Sequence, residues 1–147
     1  MESTSKLFVR ICLIGLAVAL LLVGVVSGTF LRHVVQILPI VFVLIILQGR
    51  PAWGAYAAVP IFIFWVGIVI LIWLFLLGLS QIANGHYTAI EIVLTFVMAA
   101  CSVAGVVKSL SLGRPLSVFG RVGAFTLFAA LQVAAMWVSF LRPIANR

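Results

Sequence analysis

Five apolar runs separated by short polar breaks set the pattern of the chain. They cover Leu7 to Val26, Phe30 to Leu47, Trp53 to Leu79, Tyr87 to Val107 and Val118 to Leu141. A spanning helix needs ~20 apolar residues at 1.5 Å rise each, so each run is long enough to cross a bilayer. The pattern therefore predicts an all-α, polytopic integral membrane helical bundle with five transmembrane helices. These form a single membrane domain over residues 1–147, with helices at about 7–27, 30–48, 55–79, 87–107 and 118–141.

The breaks carry the usual punctuation. Gln48-Gly49-Arg50-Pro51 ends the second run, Ser80 to His86 is the clearest polar interruption, and Gly113 and Pro115 break the connection from Lys108 to Ser117. Arg142-Pro143 closes the fifth helix. The third run has two readings. Either Trp53 to Val59 is an interfacial lead-in with Pro60 in the first helical turn, or all of it is one tilted, Pro-kinked helix. The first run follows Lys6 as a signal peptide would, but its apolar core, Ile11 to Val26, exceeds the usual ~7 to 15 residues and leads into more membrane. An uncleaved first helix fits better.

Composition changes only the solvent. With 66% hydrophobic and 7% charged residues and a mean hydropathy of +1.41, too little polar surface exists to coat a water-soluble globule. The net charge of +7 comes from basic residues scattered singly at the ends of apolar runs. That excludes a nucleic-acid patch and points to anionic lipid headgroups as counterions. Cys12 and Cys101 fall inside apolar runs and read as small hydrophobes.

Basic residues also choose a topology. With five crossings and the N-terminus cytoplasmic, Lys6, Arg10, Arg50, Lys108, Arg114 and Arg121 lie inside, against Arg32, Arg142 and Arg147 outside. A re-entrant second segment would put only Lys6, Arg10, Arg142 and Arg147 inside and the other five outside. The five-helix, N-in arrangement is preferred, in a bacterial cytoplasmic (inner) membrane.

Glu91 is the lone carboxylate within an apolar run, one of only two acids in the chain. At helical spacing it shares a face with Thr95, Met98, Ser102 and Gly105, and a second stripe joins Arg121, Phe125, Phe128, Gln132 and Ser139. Glu91 lies one turn inside the outer boundary and Arg121 one turn inside the inner one, so antiparallel neighbours hold them ~20 Å apart by the rise per residue. Groups at the depth of Glu91 are Arg32, His33, Gln36, His86, Tyr87 and Arg142. The expectation is an outer-leaflet polar cluster of Glu91, His33, Gln36, Arg32, His86 and Arg142, with Thr95, Ser102 and Gln132 along a candidate pathway. The plainer alternative is that Glu91 meets headgroup water or caps a neighbouring backbone.

His33 and His86 share a level at which imidazoles can meet a haem or a metal. Each adjoins a loop and lacks a second ligand motif, so no metal site and no cofactor is expected, with haem the alternative. A Ser-His-Asp set, HExxH, a Gly-rich phosphate loop and CxxC are all missing, which leaves little basis for an enzyme. Small residues at close spacing, Gly24 with Gly28, Gly15 with Ala19, Cys101 with Gly105, permit close helix approach within the chain or between copies.

The leading expectation is a non-enzymatic membrane protein, a small subunit or oligomeric packing partner within a larger inner-membrane complex. Its partners would be membrane lipids, with anionic headgroups on the cytoplasmic side, and other membrane subunits or itself. The alternative is a small oligomeric transporter or channel for a proton, cation or small solute using Glu91. A weaker one is a haem- or quinone-binding electron-transfer subunit.

Overall fold

The computed structural model describes residues 2–82, 85–112, 116–141 and 144. Its helices are α1 (Glu2–Val26), α2 (Phe30–Gly49), α3 (Pro51–Leu76), α4 (Ala89–Leu112) and α5 (Val118–Ser139). All five are long and apolar enough to span a membrane, the make-up of an integral membrane protein.

The third run is one helix, not a lead-in followed by a helix. Pro51 stands at its first position, where a missing N–H costs nothing, and Pro60 is carried inside the helix. A single residue, Arg50, joins α2 to α3. Its N–H donates to Ile46 O while its own carbonyl accepts from Gly54 N–H, so both helices share the joint. The dihedral angles of Arg50 are φ −133° and ψ 80°, outside the helical region, as the following proline requires.

Two glycines end helices. Gly28 has φ +68° and Gly78 φ +72°, left-handed conformations that other residues rarely adopt. After α3 the Leu79 N–H reaches Leu74 O at 2.8 Å and the Gly78 N–H reaches Phe75 O at 2.9 Å, a Schellman cap that satisfies two end carbonyls. The fourth helix starts two residues later than the apolar pattern suggests and continues past Lys108 to Leu112.

Among the described residues, α3 touches all four other helices, and the five follow one another around the bundle in the order α1, α4, α3, α5, α2. Helices α4 and α5 follow each other in the chain yet do not touch, because they flank α3 on different sides. The composition of α3 fits a span with two apolar surroundings: one face packs into the core, while Ile63 and Ile70 point outward, where lipid accepts apolar side chains as readily. Its Ile61, Phe62, Trp65 and Val69 meet Leu13 and Leu16 of α1, Ile40 and Val43 of α2, Met98 of α4 and Phe128 of α5 in one core.

Small residues set the tightest approaches. A side chain on Gly105 would overlap the Phe62 ring, one on Gly54 would overlap the Leu47 backbone, and one on Gly15 would come within 2.9 Å of Cys101 Sγ. These are contacts within the chain. The expected α5 stripe is also adjusted, since Phe125 is exposed and Ala124 is buried in its place.

The two ends of the bundle differ in charge. Lys6 Nζ donates to Gln48 O at 2.9 Å, Lys108 lies 5.9 Å from the Phe8 ring, and Arg121 lies 5.9 Å from the Tyr56 ring. With Arg10 and Arg50, five of the six described Lys and Arg residues gather at the end where α1 begins. Glu2 opens α1 at this same end. Arg32, His33, His86 and Glu91 occupy the other.

Candidate functional site

Glu91 sits in the first turn of α4, 6% exposed. Its Oε2 accepts from Thr88 N–H at 2.7 Å and from the Thr88 hydroxyl at 2.8 Å, while Thr88 Oγ1 accepts from Glu91 N–H at 3.3 Å. This is a reciprocal capping box, in which a carboxylate and a hydroxyl satisfy the orphan amides of a helix start. The positive end of the α4 dipole favours the charge further. Among the described residues Glu91 makes no ion pair.

Its neighbours at this end are coupled to it through space. The Glu91 charge is felt at His33 and at Tyr87, and the Arg32 charge at both of these. His33 Nδ1 lies 3.0 Å from Thr29 O and 3.2 Å from Thr29 Oγ1, and the ring rests against Gly24. The Arg32 guanidinium stacks 3.9 Å over the Phe140 ring, with its Nε buried and unpartnered. Tyr87, just outside α4, packs near Phe75, and burial, then the Glu91 charge, push its phenol above the ordinary tyrosine value against the opposing pull of Arg32. His86 is exposed. Arg142 lies outside the described residues.

Gln36 belongs to a different group. Its Nε2 donates to Ser139 Oγ at 2.9 Å and to Met136 Sδ at 3.2 Å, and Gln132 Nε2 donates to Gln36 O at 3.4 Å. Ser139 Oγ donates in turn to Met136 O at 2.6 Å. The network ties α2 to α5 in the turn preceding Pro39, where the helix lacks one of its own donors.

The candidate pathway residues divide between two sides of α3. Thr95 Oγ1 accepts from Trp73 Nε1 at 2.7 Å and donates to Ile92 O at 2.7 Å, which binds α4 to α3. Ser102 Oγ, buried further along α4, has no partner; nor do Ser109 Oγ, Trp65 Nε1 and Gln132 Oε1. Gln132 stands on α5, which α4 does not reach. Among the described residues no three His, Cys, Asp or Glu side chains gather.

No family model, curated protein or solved structure matches this chain.

Sequence reasoning missed Thr88, Met136 and Phe140 as partners. Thr88 had a signal: Thr88-Ala89-Ile90-Glu91 is a capping-box spacing just before an apolar run. Met136 and Phe140 had none, since no periodicity says which helix faces which.

Proposed function

We propose that this is a non-enzymatic membrane protein that serves as a packing partner, a small subunit of a larger inner-membrane complex or a homo-oligomer. The observation that carries this reading is the outer face of α5, the least buried of the five spans. There Thr126, Ala129, Ala130 and Ala134 form a shallow stripe of small residues at helical spacing, flanked by Val133 and Trp137. Such surfaces let a neighbouring backbone approach closely, which is how helices associate in lipid. The engagement of Glu91 by its own helix start supports a structural use of the charge. The segregation of basic residues supports a cytoplasmic N-terminus.

Gentle detergent extraction followed by mass spectrometry tests the proposal. A second protein or a second copy is expected, and Ala130→Trp is expected to release it; a solitary wild-type monomer overturns the reading. An N-terminal reporter active only on the extracytoplasmic side overturns the orientation.

A second reading, proton or cation transport in an oligomer, draws on the unpartnered oxygens of Ser102, Ser109 and Gln132 inside the bundle. Glu91→Gln keeps a capping side chain and removes the titratable group. Transport through Glu91 therefore predicts loss of pH-dependent flux in liposomes, and unchanged flux eliminates it.

A further inference from the structure

At the basic end of the bundle α2, α3 and α5 leave a groove of about 430 Å³ between them. Its walls are apolar, with Ile45 and Gly49 of α2, Trp53 of α3, and Gly123 and Leu127 of α5, and Arg50 stands at its mouth. Arg50 is exposed, and no described residue pairs with its guanidinium. From Arg50 to Ile45 the groove runs ~8 Å along α2 by the rise per residue, inward from the polar rim. The indole of Trp53 sits at the level where amphipathic rings mark the membrane interface. A side chain added at Gly123 or at Gly49 would meet nothing within 4 Å, so the groove is open along both glycines.

We propose that this groove binds one anionic phospholipid, its phosphate on Arg50 and the upper part of an acyl chain between α2 and α5. The occupant follows from charge complementarity. A neighbouring apolar helix would fill the walls but bring no counterion to Arg50, whereas an anionic lipid supplies tail and counterion together. Lys6, Arg10, Lys108 and Arg121 at the same end reinforce the field, and each cation near a headgroup strengthens anionic-lipid binding roughly five-fold. The inference holds whichever side of the membrane this end faces, and does not depend on the partner proposed above.

The test is native mass spectrometry of the full chain in detergent with equal amounts of phosphatidylglycerol and phosphatidylcholine. One phosphatidylglycerol is expected to be retained preferentially. Arg50→Gln should lower that preference roughly five-fold, the share of one cation. Gly123→Leu has room for its side chain and should displace the bound lipid by filling the groove. Equal retention of the two lipids by the wild type overturns the proposal, as does a preference that survives both variants. A Gly123→Leu variant that changes oligomeric state while keeping its lipid assigns the groove to a contact between copies, and overturns it too.

Discussion

The side-chain amide of Gln36 on α2 donates to the hydroxyl of Ser139 on α5 at 2.9 Å, joining residues 103 apart in the chain. Both residues are buried, and Gln132 adds a second link from α5 to the Gln36 carbonyl. Interhelical hydrogen bonds in membranes contribute ~0.6 kcal/mol on average and up to ~1.7, because the separated helices also find partners. Gln36→Leu is therefore expected to destabilise the bundle by about 1 kcal/mol. Unfolding in mixed micelles measures this, and a variant as stable as wild type would show that the clasp adds nothing.

The capping box at the start of α4 makes a prediction that separates geometry from charge. Glu91→Ala and Thr88→Ala should each cost about 1 kcal/mol and speed amide exchange at Ala89 to Glu91, the first helical turn. Glu91→Gln should retain most of the stability, since glutamine serves the same spacing. Equal damage from the alanine and glutamine variants would contradict a capping role.

Gly105 lies under the Phe62 ring so closely that no side chain fits. Gly105→Ala should force α4 away from α3 at a cost of ~1 to 3 kcal/mol, the range of overpacked cores. Adding Phe62→Leu should recover part of this loss. Strict additivity of the two substitutions would show that the contact is not the cause.

Tyr87 carries a pH dependence. Its phenol titrates above the ordinary value of 10.0 in the folded protein because the site is half-buried and faces Glu91. The folded state therefore holds its proton more tightly than the unfolded chain. Stability from this group is intact below pH 10 and declines as pH rises through the folded value. Thermal unfolding at pH 9 and at pH 11 should show an alkaline loss that Tyr87→Phe reduces; an identical loss in both proteins would refute it.

Much of this architecture is legible in the apolar pattern because lipid leaves a chain so few options. Five spans follow from run length alone, and the buried face of α4, Glu91, Thr95, Met98, Ser102 and Gly105, follows from its period. Ring order is not legible. Gln36 and Glu91 are at comparable depth, yet Gln36 turns to α5 while Glu91 turns to its own helix start, and periodicity along single helices carries no information about neighbours. The split of Thr95 and Ser102 from Gln132 by α3 has the same origin. Phe125, at helical spacing from Arg121 and Phe128, faces outward because in lipid an aromatic ring is as welcome on the outer surface as within, so hydrophobicity cannot assign its side.

The one-residue joint at Arg50 bears on how the bundle is made. With no slack between Gly49 and Pro51, the second and third helices are held as a hairpin, so the entry of one into lipid restricts where the other can lie. That hairpin brings α3, the hub of the finished fold, into the bilayer already clad on one flank. The later helices then have a template to dock against as they emerge.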